Sequence, residues 1–460
     1  MGKGKRMRPP SSSSESEEEE PIEIELDMDD ITRIAVLELL SSEEFKESFF
    51  SGLASGTEEQ PRETNDYLKS IPEAKRRKLE NMEKKLFKSE KNTIPLKYRI
   101  LTSNLTDHSK KNIINKLNHY DSLPQNSSEY IKLKKYIEGL ERIPFNNISQ
   151  LPVKKNSNRN KLESFISSFR KELDLCTFGQ EKAKMSITEI VAKWITNPKG
   201  GGNSIGLCGP PGIGKTSLIK NGLSKAIKVP FSFISLGGAT CSSYLQGHDF
   251  TYEGSKWGRI VEILSETGTM NPIIFFDELD KISETKTGEE IAGILIHLTD
   301  PTQNNSFQDK YFSGIDFDLS KCFFIFSFND KNKINPILKD RIKILELEGF
   351  KTEEKLQIAK KFSIPKICKN IGFDESTMII TDECIRDIVT YYCRDPGVRK
   401  LESCLESIIM RVNLHHITGD MKSLDLNSVP YTIGSKLGMR VLKEVFGDTC
   451  LSESIKMMYS

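Results

Sequence analysis

The stretch Gly209-Pro210-Pro211-Gly212-Ile213-Gly214-Lys215-Thr216-Ser217 constrains this chain's architecture more than any other. Ser204-Ile205-Gly206-Leu207-Cys208 precedes it and reads as a short buried strand, and Leu218 to Ile227 follows it and reads as a helix. From Gly209 to Thr216 the loop fits the pattern G-x-x-x-x-G-K-[ST]. A strand that passes into a helix through such a loop presents free N–H groups and the positive end of the helix dipole to an anion. The glycines let the backbone approach where a Cβ atom would collide. Residues 209–217 are therefore expected to cradle nucleotide phosphates, with Lys215 reaching the β- and γ-phosphates and Thr216 ligating Mg²⁺.

A second motif supports this expectation. Ile273-Ile274-Phe275-Phe276-Asp277-Glu278 is an apolar strand that delivers two carboxylates at its C-terminal end, some 60 residues after the glycine loop. Asp277 is placed to hold Mg²⁺ through water, and Glu278 to orient and polarise an attacking water, an arrangement suited to phosphoryl transfer. Further strands are expected at Phe231 to Leu236, Cys322 to Phe328 and Ile342 to Leu347. Most are unbroken apolar runs, as expected of parallel strands covered on both faces, and intervening helical stretches make an α/β repeat. Asn329 follows the Cys322 to Phe328 strand, where it would align a water between the carboxylates and the γ-phosphate or simply make a strand-end turn.

Around this core the 460 residues divide by composition. Residues 1–66 hold Ser11-Ser12-Ser13-Ser14 and Glu15-Ser16-Glu17-Glu18-Glu19-Glu20 and are expected to be a disordered acidic tail. Residues 67–174 read as a helical arm or coil that opens with the basic run Lys75-Arg76-Arg77-Lys78, either a nuclear import signal or a solvated helical face. The nucleotide-binding domain is expected at 175–351, a small all-α lid domain at 352–420, opened by Thr352 as helix cap, and a C-terminal extension at 421–460. A net charge of +1 gives no reason to expect general attraction to nucleic acid or to a membrane. Nine cysteines without a C-x-x-C pair suggest neither a zinc site nor a disulfide framework. With no apolar leader and no run of ~18 apolar residues, an intracellular compartment, cytoplasmic or nuclear, is expected.

Beyond these motifs, long stretches resemble the ATPase part of Lon-type proteases, in the AAA+ superfamily. They include Ser235-Leu236-Gly237-Gly238, Phe275 to Lys281, Leu298-Thr299-Asp300-Pro301-Thr302-Gln303-Asn304, Asp316 to Ser320, Asp340-Arg341, Gly349-Phe350, Glu354-Lys355 and Pro396 to Glu402. Ser127 to Phe145 is similar to the helical arm before the Lon motor, so the likeness covers roughly residues 95 to 415. The resemblance implies a P-loop AAA+ parallel sheet flanked by helices, with ATP and Mg²⁺ as cofactors. It implies that Asn329 is the first sensor, Arg341 the arginine finger reaching a neighbour's γ-phosphate, and Arg399 the second sensor on the subunit's own nucleotide. Read locally, either arginine is also a plausible surface ion-pair partner. A finger acting in trans implies a homo-oligomeric ring, typically a hexamer.

The resemblance also has departures. Tyr252-Glu253-Gly254 stands where Lon-type motors carry an aromatic–aliphatic–Gly loop that grips substrate polypeptide, with Glu253 replacing the apolar residue and Trp257 close behind. A glutamate weakens an apolar grip and favours basic segments; the bland alternative is a capped surface loop whose tyrosine packs. No serine and lysine stand in the motif context of the Lon Ser-Lys peptidase, so peptidase activity is not expected. The pattern is similar to that of Lon-like ATPases of large DNA viruses. The reading that follows is an oligomeric ATP-hydrolysing unfoldase or remodeller. A nucleotide-dependent assembly scaffold with little turnover and the motor subunit of a two-chain protease are the alternatives. A nucleic-acid motor is disfavoured, since no basic stripe with interleaved aromatics occurs.

Overall fold

The structure, a computed structural model, describes residues 71–86, 94–198, 200, 204–238, 241–252, 254–282, 285–374, 377–419, 424, 426 and 429–447. The tail expected at 1–66 lies outside the described residues, as do Glu253 and residues 448–460. The chain divides at Thr93/Ile94 into two units. In the first, helix α1 (Glu73–Leu86) carries the basic run on its surface, and Arg77 pairs with Glu73 one turn earlier at 2.7 Å.

The second unit is built on five parallel strands: β1 (Ser204–Cys208), β2 (Phe231–Ser235), β3 (Ile273–Asp277), β6 (Phe323–Phe328) and β7 (Lys343–Glu346), in the order β2-β3-β6-β1-β7. Each falls within a residue or two of the expected bounds. Their apolar runs are unbroken because alternate side chains enter different cores. Ile274, Phe276, Phe324 and Phe326 face one core, and Ile273, Phe275, Phe323 and Ile325 the other. The short pair β4 (Phe307–Gln308) and β5 (Asp316–Phe317) is antiparallel and lies outside the main sheet.

The helices preceding β1 do not form a bundle of their own. From α2 (Leu96–Leu101), α3 (Asp107–Ser122) and α4 (Ser128–Arg142), the side chains Ile100, Ile113, Tyr136 and Leu140 enter the same core as Tyr311, Phe312 and Phe317. α5 (Arg159–Cys176) and α6 (Glu181–Thr196) pack on the opposite face, α5 against the helix that follows the glycine loop. The helices on either side of the boundary expected at 174 thus share the two cores of the sheet.

Beyond residue 351 the chain builds a core of its own. The lid is made of helices, as expected: α12 (352–371), α13 (Asp382–Tyr391), α14 (Arg399–Thr418) and α15 (Ser435–Phe446). Its first helix is capped by Lys351, not Thr352, because Glu354 reaches back to accept from the Lys351 N–H at 2.7 Å. The lid also contains a parallel ribbon, β8 (Met378–Ile380) with β9 (Tyr431–Ile433). Tyr431, Ile433, Val441 and Leu442 share a core with Ile385, Ile388, Leu405 and Ile408, so the boundary expected at 420 divides no separate extension. No helix among the described residues is long and apolar enough to cross a membrane.

Asp309 joins two loops inside the first core. Fully buried, it accepts from the N–H groups of Gly258 (2.7 Å), Tyr311 (2.9 Å) and Phe312 (3.4 Å). Burial outweighs those bonds and pushes its carboxyl up to about 7. The native state therefore keeps a proton that the unfolded chain releases near pH 4, so this group's contribution to stability is full below about 4 and declines as pH rises towards 7. The stability cost of Asp309→Asn, read from urea midpoints, should shrink between pH 5 and pH 8. A cost that grows with pH would mean that the three N–H groups hold the carboxylate charged.

Candidate active site at the C-terminal edge of the sheet

The glycine loop is held at its root by backbone bonds to two other segments. Gly209 N–H donates to Phe328 O (3.2 Å), and Leu347 N–H donates to Cys208 O (2.8 Å). Gly212 (φ +77°) and Gly214 (φ +90°) adopt the left-handed region, turning the chain into the helix α7 (215–227), whose middle turns widen to a π-helix over Leu218–Ser224. Ile213 turns away into the core at 1% exposure and anchors the loop. A cleft of about 330 Å³ is lined by Pro211, Gly212, Gly214, Lys215, Thr216 and Ser217, while Gly209, Pro210 and Ile213 shape the loop from behind.

Lys215 occupies the centre of this edge. Its Nζ donates to Gly209 O (2.6 Å), Phe328 O (3.0 Å) and Asn329 Oδ1 (2.7 Å). Burial lowers its pKa, opposed by the charges of Asp277 and Asp280. Asn329 reaches this point because β6 lies between β1 and β3, which brings its end between the glycine loop and Asp277. Asp277 and Glu278 line the same cleft. Glu278 sits in the left-handed region (φ +60°), an uncommon and costly conformation for a residue with a side chain, and its carboxylate lies 3.5 Å from Ser235 Oγ.

Asp280 was not singled out in the sequence, although it does more than its neighbours to fix the geometry. It is 8% exposed, and its Oδ2 accepts from the N–H groups of Asn329 (3.2 Å) and Asp330 (3.3 Å). Its Oδ1 is buried without a partner among the described residues, and the residue is part of the cleft wall. The Asp280 carboxylate thus positions the Asn329 side chain through its backbone.

The lid closes the far wall with Lys366, Arg399 and Glu402. Val398 N–H donates to Gly212 O (3.0 Å), and a Cβ on Gly397 would stand 2.2 Å from Pro211 O, so only glycine fits. Arg399 begins α14 and makes no ion pair among the described residues. The loop that delivers it is fastened by Lys355, 3% exposed, whose ammonium donates to Cys393 O (2.8 Å) and to Asp395 O.

Two expected site elements lie elsewhere. Arg341, at the end of helix α11 (Pro336–Arg341), is ion-paired with Asp300, whose carboxyl it and Thr302 draw down to about 2, and it does not line this chain's cleft. Tyr252 stands 70% exposed on a turn closed by Asp249 and Ser255. Trp257 is no second gripping aromatic. It packs on Tyr311 (5.6 Å) and Phe312 (5.9 Å) and anchors the base of that turn.

Residues 205–348 match the family described as ATPase family associated with various cellular activities (AAA), and residues 369–423 match the Lon protease AAA+ ATPase lid domain. The chain carries a Lon-type AAA+ module. It is 38% identical over 328 residues to a Lon protease homolog of Acanthamoeba polyphaga mimivirus, covering 70% of this chain and 31% of the relative. It is 35% identical over 310 residues to Lon protease 1 of Bacillus subtilis (strain 168), covering 67% and 38%. With a mitochondrial Lon protease homolog of Dictyostelium discoideum it shares 34% over 334 residues, 72% of this chain and 33% of the relative. The chain spans roughly a third of the length of these relatives.

In this Lon-type module the lid meets the glycine loop through backbone, so whatever holds the 393–398 loop holds Arg399. Lys355→Met should leave two carbonyls without their buried donor and lower stability by about 2–4 kcal/mol. Hydrogen exchange at the Val398 amide should speed up more than at Leu405. Equal acceleration at both would indicate only a general loss of stability.

Proposed function

We propose that the module hydrolyses ATP and works as a ring, most simply a hexamer, that pulls on or remodels polypeptide. The observation that carries this reading is the division of charge at the site. One cleft collects Lys215, Thr216, Asp277, Glu278, Asn329 and Arg399, while Arg341 stands outside it. In the proposed reaction Lys215 and the loop amides hold the β- and γ-phosphates. Glu278 takes the proton from a water aligned by Asn329 as oxygen attacks the γ-phosphorus and the bond to the β-phosphate oxygen breaks, leaving ADP and phosphate. Arg399 contacts the subunit's own nucleotide. Arg341, released from Asp300, neutralises charge on a neighbour's γ-phosphate, a contribution of about 10³–10⁵ in rate in related phosphoryl transfers.

The donor set fits Mg²⁺. Thr216 and Asp277 offer oxygen ligands beside the phosphate cradle, and no cluster of three or more metal-ligating side chains occurs among the described residues, which suits an ion held mainly by phosphates and water. Held by Thr216 and Asp277, such an ion would supply positive charge against the phosphates.

Glu278→Gln should lower ATP turnover by about 10²-fold or more while leaving nucleotide binding intact. Equal, negligible turnover in both proteins would favour a nucleotide-controlled scaffold. Arg341→Ala and Lys215→Ala should each be inactive alone and partly active when mixed, because a mixed ring contains interfaces with one intact cleft and one intact finger. No recovery in a mixed ring confirmed by mass would exclude the finger in trans.

The exposed tip at Tyr252 supports a polypeptide grip. Tyr252→Ala should retain ATP turnover within about threefold and lose ATP-driven unfolding of a tagged fluorescent protein, with no peptide-bond cleavage in either case. Unfolding that proceeds unchanged in Tyr252→Ala would remove this loop from the mechanism.

A further inference from the structure

A second cavity, of about 640 Å³, opens at the other end of the same strands. Val229, just before β2, Ile273, which begins β3, and Phe323, which begins β6, form part of its floor. The nucleotide cleft lies at the C-terminal ends of these strands, about 17 Å away for a five-residue strand. Trp194 of α6 completes the floor and meets Phe323 edge-on at 4.8 Å. The facing wall is the 148–156 segment, which is pinned to the turn before β3. Ser149 N–H donates to Asn271 Oδ1 (2.8 Å), Asn271 Nδ2 returns to Ser149 O (3.0 Å), and Met270 N–H donates to Asn147 O (2.8 Å). This wall is thus tied to the turn before β3 by backbone and side-chain bonds.

Its charge is one-sided. Lys154, Lys155 and Lys321 stand around the opening, no aspartate or glutamate lines it, and none of the three lysines makes an ion pair among the described residues. Three ammonium groups at the mouth of an apolar cavity repel one another, and part of the Trp194 indole is left in water while Phe323 is buried beneath it. A ligand with an apolar body and an anionic end relieves both costs, and the volume lies within the roughly 300–1,000 Å³ of small-molecule sites.

We propose that this cavity binds an amphipathic small-molecule anion, an acyl or aryl body bearing a carboxylate or phosphate, at a site separate from the nucleotide cleft. The body lies against Trp194 and Phe323 while the anionic end meets Lys154, Lys155 and Lys321. The test is calorimetric titration of the full chain with decanoate and decyl phosphate, with decanol and decyltrimethylammonium as the neutral and cationic counterparts. The expected result is saturable binding of one anion per chain, quenching of Trp194 fluorescence, and binding at least about tenfold tighter than that of decanol or the cation, each tenfold being one unit of the usual affinity scale. Lys154→Gln/Lys155→Gln/Lys321→Gln should weaken the anion about tenfold or more without lowering the melting temperature. Leu151→Trp, which fills the cavity, should abolish binding, and Lys215→Ala should leave it unchanged. No saturable binding, affinity indifferent to the ligand's charge, or affinity unchanged in the triple variant would overturn the proposal. Loss of binding in Lys215→Ala would show that the anion occupies the nucleotide cleft instead.

Discussion

The ammonium group of Lys215 is the contact on which the candidate site is organised. It takes one oxygen from the root of the glycine loop, one from the end of β6 and one from the Asn329 side chain. Three strand ends meet there only because β6 runs between β1 and β3. A different strand order would carry Asn329 to another part of the edge and leave Lys215 facing Asp277 alone. Asp280 reinforces the arrangement from below by fixing the backbone of Asn329 and Asp330. Burial lowers the lysine's pKa while the nearby carboxylates support its charge, so the site holds a cation where phosphate charge is expected to arrive.

The lid is coupled to this edge by backbone. Val398 N–H to Gly212 O and the close approach of Gly397 to Pro211 bring the two parts into direct backbone contact. Swinging the lid away requires breaking the Val398 bond, and Arg399, one residue later, moves with it. Lys355 makes the loop behave as one piece by holding two of its carbonyls from inside the lid. Arg341 is restrained differently, by the carboxylate of Asp300 on its own chain. Any role on a neighbour needs that pair to open.

Much of this was legible in the sequence, for a physical reason. A strand covered on both faces must be apolar at every position, so Ile273 to Phe276 and Cys322 to Phe328 stand out without any alignment. Lys215, Asp277, Glu278 and Asn329 stood out because each sits at a fixed offset from such a strand, whereas Arg399 came only from the resemblance to Lon-type motors. What escaped were residues whose partners are distant in the chain and offer only backbone. Asp280 binds amides 49 and 50 residues away, and Lys355 binds carbonyls 38 and 40 residues away. β8 escaped because three residues carry no period of their own until β9, some fifty residues later, pairs with them. Trp257 read as part of the Tyr252 loop, but the ring cluster of Tyr311 and Phe312 draws it inward.

The account rests on Lys215 as the group that receives phosphate charge at the meeting point of the loop, β6 and Asn329. The most direct measurement is calorimetric binding of a non-hydrolysable ATP analogue with Mg²⁺ to the wild-type chain and to Lys215→Met, a side chain of similar length without the charge. The account predicts saturable binding by the wild type and a loss of about 10²-fold or more in the variant, with the fold retained by circular dichroism. Equal affinity in the two proteins would contradict it.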